Sequence, residues 1–130
     1  MSKFLFTYGT LRLNQSHPIA IYLSENATLI GLAVLPKARL YKIDWYPALI
    51  PTEDENDKVI GDVYELKDAN AWSKIDEYEG IGIGEPPYEY KRENVKIQME
   101  QEEFDCWVYF YNVALPDNAE LIESGDFLNP

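Results

Sequence analysis

The chain has 130 residues, 46% of them apolar, with ten Tyr, five Phe and three Trp; that is enough to enclose one core, and residues 1–130 read as a single domain. Eleven Lys and Arg against 23 Asp and Glu leave a net charge of −12, a field that repels phosphate backbones and anionic lipids and so argues against nucleic acid or membrane partners. One cysteine, Cys106, excludes an intrachain disulfide and a multi-cysteine zinc site. With no apolar leader at Met1-Ser2-Lys3 and no apolar run of membrane-spanning length, the expected address is cytoplasmic.

Residues 3–8 are aromatic and β-branched enough for a buried strand, which Gly9 stops. Pro18 at a first helical position predicts a short helix over 18–24, holding Ile19, Ile21, Tyr22 and Leu23 loosely against a sheet. Residues 27–34 and 38–43 read as strands joined by a turn at Pro36, and 46–51 as an extended piece bounded by prolines. The acidic run Glu53 to Asp57 is a solvated loop. Residues 59–66 alternate as a strand in which Gly61 marks either a bulge or the close approach of another backbone. Asp68 is placed to cap a helix over 69–79, with Gly80 just beyond its end and a Gly- and Pro-punctuated loop to Pro87.

A hairpin of residues 88–99 and 104–113 around Glu100-Gln101-Glu102-Glu103 follows, then a short terminal segment from Leu121 to Asp126. Six or seven strands with two short helices, not alternating regularly, make an α+β fold; the expectation is a curved, mixed sheet closing into a small barrel.

Two places carry possible chemistry. On a helix over 69–79, at about 100° per residue, Glu79 falls about 20° from Trp72 and on the side of Ile75, whereas Glu77 points away. An acid on an apolar face has its charged form disfavoured, which is how a general base or acid is tuned; an acid at a helix end that merely reaches solvent is the plainer alternative. The second place is Tyr8-Gly9-Thr10-Leu11-Arg12, a strand end opening into a glycine turn whose successive N–H groups can converge on a carboxylate or an oxyanion, or simply end the strand. Other patterns are weaker. The alternating glycines Gly80, Gly82 and Gly84 follow a helix instead of opening one, which is wrong for dinucleotide binding, and the lone His17 has no nucleophile elbow to serve. Cys106 reads as an ordinary strand residue.

Taken in order, Tyr8-Gly9-Thr10-Leu11-Arg12, Tyr46-Pro47-Ala48-Leu49, Gly61-Asp62-Val63-Tyr64, Ile75-Asp76-Glu77-Tyr78-Glu79-Gly80, Tyr90-Lys91-Arg92, Trp107-Val108-Tyr109-Phe110-Tyr111 and Ser124-Gly125-Asp126 resemble the gamma-glutamylcyclotransferase-like family over nearly the whole chain. The resemblance implies a small barrel with short flanking helices and a site at the strand ends. It also implies release of 5-oxoproline from a small gamma-glutamyl substrate by attack of its α-amine on its own γ-carbonyl, with no metal or cofactor. Glu79 falls on the family's catalytic glutamate, the turn of Tyr8, Gly9, Thr10 and Leu11 on its substrate-binding amides, and Tyr90 on a residue that orients substrate. Arg12 either meets a substrate carboxylate or pairs with a surface acid, and pairing is favoured. Asn14 stands where relatives commonly have glycine, and the loop from Gly80 to Tyr88 is long. A binding module on the same fold, or a cyclotransferase that removes a gamma-glutamyl protecting group from an amine, are the other functions this pattern allows.

Overall fold

A computed structural model describes residues 3–12, 17–44, 46–67, 69–78, 88–100 and 102–130. Its elements are β1 (Phe4–Thr7), α1 (Pro18–Asn26), β2 (Ala27–Pro36), β3 (Ala38–Lys42), β4 (Pro47–Pro51), β5 (Lys58–Leu66), α2 (Ala69–Tyr78), β6 (Tyr90–Met99), β7 (Glu102–Tyr111) and β8 (Glu120–Leu121). Strands β1-β5-β2-β6-β7 form a closed barrel, sealed by a parallel pairing of β1 with β7 while its other contacts are antiparallel. The α+β barrel expected from the sequence is what the chain forms.

Strand periodicity explains how one set of strands builds two cores, because alternate residues face opposite sides. Phe6, Val59, Val63, Ala33, Leu35, Ile97, Cys106, Val108 and Phe110 come from all five barrel strands and meet in one cluster, which places them inside the barrel. Leu5, Tyr64, Leu66, Tyr90 and Tyr109 project from the other face and are covered by Leu23 of α1 and by Ala71 and Ile75 of α2.

Three expectations are corrected. The turn expected at Pro36 falls one residue later: β2 runs on through Pro36, and Lys37, with a left-handed φ of 59°, turns the chain into β3, which lies in the other sheet beside β4 and β8. Helix α1 grips more firmly than expected, since Leu23 is fully buried, although Ile21 faces solvent. The hairpin is also tighter: strand pairing reaches Met99 opposite Glu102, inside the expected four-residue turn, and Glu100 takes a φ of 55°.

Of the two readings open for Gly61, close approach is the one realised. A Cβ there would lie 2.1 Å from the Thr7 carbonyl oxygen and 2.7 Å from the Phe6 ring, whereas the register shift in this part of the sheet falls between Leu29 and Gly31 on the partner strand.

Candidate active site

Where β1 ends, Tyr8 to Arg12 bend into a turn closed by the Arg12 N–H bond to the Gly9 carbonyl at 3.1 Å. Glycine is needed at position 9 for room, not for an unusual φ: a Cβ would sit 2.6 Å from the Pro47 ring. The Tyr90 hydroxyl donates to the Pro47 carbonyl at 2.6 Å, which ties β6 to the proline lying on the turn. Among the described residues, the N–H groups of Gly9, Thr10 and Leu11 have no hydrogen-bond partner.

Arg12 anchors the turn from behind. Its side chain is 7% exposed, and the guanidinium lies 3.2 Å from Asp62 of β5 and 2.6 Å from Asp126 near the C-terminus. The expected pairing is there, but with acids that are themselves largely buried instead of surface ones, and Arg12 does not line the cavity described below. Burial pulls the Asp126 carboxyl upward, yet hydrogen bonds from Asn129 and the Leu128 N–H, together with the Arg12 charge, hold it below the ordinary carboxylate value. The segment carrying Asp126 is fixed in turn: Gly125 (φ +70°) accepts from the Ile60 N–H at 2.7 Å, and a Cβ on it would strike the Lys58 carbonyl oxygen at 2.1 Å.

In front of the turn lies a cavity of about 190 Å³ lined by Tyr8, Gly9, Thr10, Leu11 and Tyr90, the five predicted substrate-binding positions, and by Leu5, Phe6, Thr7, Tyr46, Pro47, Tyr78, Glu89 and Tyr109. Tyr78, the last residue of α2, shares a 2.8 Å hydrogen bond with the Thr10 hydroxyl. The predicted base, Glu79, is the next residue in the chain and lies outside the described residues, as do Asn14 and the loop 80–87. Among the described lining residues there is no Lys, Arg or His, and Glu89 alone is charged. The Tyr46 hydroxyl donates to Glu89 at 2.8 Å, and burial followed by that bond raises the Tyr46 phenol far above its usual range. Among the described residues no cluster of three His, Cys, Asp or Glu is placed to hold a metal ion.

One residue at the site was missed in the sequence. Asp76 Oδ1 accepts from the Tyr109 hydroxyl at 2.5 Å, and its Oδ2 lies 3.2 Å from Arg92, whose guanidinium stacks between the rings of Trp72 and Trp107 at 4.9 and 5.1 Å. The signal was available: Asp76 follows Trp72 by four residues, so it falls about 40° from Trp72 on the same helical face. Glu77 is exposed, as the same geometry predicts.

The fold and this arrangement define a class, and comparison identifies the family. The profile of gamma-glutamyl cyclotransferase, AIG2-like, matches residues 5–129, so the chain belongs to that family. Among solved structures it is similar to the protein ytfP of Escherichia coli, with 30% identity, a TM-score of 0.70 and coverage of 97% of this chain and 96% of that one. It is similar also to an uncharacterized protein of Pyrococcus horikoshii, with 25% identity, a TM-score of 0.69 and coverage of 97% and 90%. An aig2-like protein of Mus musculus shares the fold at 21% identity, a TM-score of 0.69 and coverage of 88% and 80%. No curated protein sequence matches the chain. Family membership points to a gamma-glutamyl cyclotransferase-like activity. Among the described residues no helix is long and apolar enough to cross a membrane.

Proposed function

We propose that the protein releases 5-oxoproline from a gamma-glutamyl amine or gamma-glutamyl amino acid. The substrate's α-amine attacks its own γ-carbonyl carbon, a C–N bond closes the five-membered ring, and the C–N bond to the departing amine breaks. Near neutral pH the α-ammonium must lose one proton before it attacks and a second as it becomes the ring amide; in this reading Glu79 takes each in turn and hands them to the leaving nitrogen, which departs as an ammonium. Because nucleophile and electrophile belong to one molecule, the protein mainly folds the substrate into a near-attack shape.

The observation that carries this reading is convergence: the turn residues 8–11, Tyr90 from β6 and Tyr78 from the end of α2 all line one cavity. In the proposal the N–H groups of the turn, which have no partner among the described residues, hold the substrate carboxylate, since the described lining offers no cationic side chain to do so. At about 190 Å³ the space is smaller than the ~300–1,000 Å³ of drug-sized sites, which suits a glutamyl group with its leaving amine outside. A cytoplasmic, single-domain enzyme is part of the same proposal.

Glu79→Gln tests it. The variant should keep the thermal midpoint of the parent and lose 5-oxoproline release from any gamma-glutamyl amine, dipeptide or glutathione that the parent converts. Equal turnover by the variant removes Glu79 as the base, and no turnover by the parent across that panel leaves a binding module in place of an enzyme.

A further inference from the structure

Helix α2 is weakest where it comes nearest the cavity. The last carbonyls of a helix lack intrahelical partners and form its negative pole, which cations stabilise; the last turn of α2 has no basic residue and holds Asp76 and Glu77 instead. Ala71 and Ile75 anchor the helix by burial, and Ile75 is the last buried residue along it. Beyond that point two side chains tie it down. Asp76 is held by Tyr109 of β7 and Arg92 of β6. Tyr78 shares a 2.8 Å hydrogen bond with the Thr10 hydroxyl, and its ring meets the His17 imidazole edge-on with 4.6 Å between ring centres, which fixes where its hydroxyl lies. Residues two apart on a helix are about 200° apart around it, so the two ties act on opposite sides of the last turn, one from the β6–β7 hairpin and the other from the turn that ends β1.

We infer that Tyr78 is a positioning residue, which through the Thr10 hydroxyl couples the end of α2 to the turn whose N–H groups the proposed reaction assigns to the substrate carboxylate. The bond uses none of those N–H groups, and among the described residues Tyr78 is the one hydrogen-bond partner of the Thr10 hydroxyl. A displacement of the turn is therefore passed to the helix end through side chains, while the main chain of the turn stays open to an anion. Tyr78 lines the cavity and is followed in the chain by Glu79, so the same bond sets the distance between what the turn holds and what the helix end carries. That the helix end carries the base rests on the cyclotransferase reading; the tie between turn and helix does not.

Hydrogen exchange followed by NMR reads the tie without turnover. In Thr10→Val, which puts a methyl group in place of the hydroxyl, amide exchange at residues 75–78 should quicken by about fivefold, the worth of one net hydrogen bond, while that of β7 stays within about twofold. Unchanged exchange at 75–78 overturns the inference, and so does an equal rise in β7, which would report a general loosening. Should Thr10→Val not fold, Tyr78→Phe carries the same measurement. Kinetics on a substrate that the parent converts supplies a second readout. Thr10→Val and Tyr78→Phe should each lower kcat by about fivefold with KM within about twofold, Thr10→Ser should recover most of the Thr10→Val loss, and the double variant should fall no lower than Tyr78→Phe alone. A Tyr78→Phe loss that Thr10→Val does not share, or losses that multiply in the double variant, would make Tyr78 a substrate contact in its own right and overturn the inference. A parent that converts no gamma-glutamyl compound overturns the cyclotransferase reading instead, and exchange alone then decides whether turn and helix are coupled.

Discussion

The two faces of β7 make opposite use of burial. Cys106, Val108 and Phe110 point into the barrel, where nothing is asked of them but volume; burial pushes the Cys106 thiol up to about 12, which keeps it protonated and unreactive at neutral pH. Tyr109, one residue away on the opposite face, is as deeply buried, yet its hydroxyl and its carbonyl each have a named partner. The inner face holds by packing and can tolerate no intruding atom. The outer face holds by specific hydrogen bonds, and its polar groups are the ones that reach the cavity. Substitutions on the inner face should therefore cost stability, and those on the outer face should change what is bound.

The largest effect expected on the inner side is that of Gly61→Ala. One methyl group would fall 2.1 Å from the Thr7 carbonyl oxygen, a backbone atom that cannot step aside without opening the β1–β5 ladder, so a loss of more than about 4 kcal/mol is expected. Urea unfolding checks it, and a variant as stable as the parent would mean that β1 and β5 do not approach as closely as described.

Arg12→Gln comes next and bears on both regions. It strands Asp62 and Asp126 close together without their cation; breaking a buried pair costs about 3–5 kcal/mol, and the lower end applies because Asp126 keeps 15% of its side-chain surface in water. Adding Asp62→Asn should restore part of the loss, since it removes the uncompensated charge. A double variant no more stable than the single one would show that the guanidinium matters for shape alone.

The legible parts of this molecule were those written in local periodicity. Strand alternation, the glycine at the end of β1 and the inward side of α2 depend on neighbours a few residues apart, and each was read from such spacings. What stayed hidden was long-range. Asp62 and Asp126 are 50 and 114 residues from Arg12, and in a chain with 23 acids no spacing singles them out. The parting of β2 from β3 likewise depends on which distant strand each one pairs with. Asp76 is a different case. Its four-residue spacing from Trp72 is enough to set it on the inner side, a signal left unused, but a face is not a partner, and only the fold brings Tyr109 and Arg92 to it.

The smallest expected effect is one of pH, and it follows from the same anchor behind the turn. The folded carboxyl of Asp126 titrates below its ordinary 3.8 because the hydrogen bonds from Asn129 and Leu128 and the Arg12 charge outweigh the upward pull of burial. A carboxyl depressed in the folded state stabilises the fold at pH values above the unfolded value, and that contribution disappears as pH falls through the folded one. The urea midpoint of the parent should therefore decline below about pH 4 more steeply than that of Asp126→Asn, whose side chain does not titrate, while other acids give both proteins a common slope. If the two curves run parallel, Asp126 is bound no more tightly as an anion than as an acid, and the C-terminal anchor of the turn is a matter of packing, as on the inner face of the barrel.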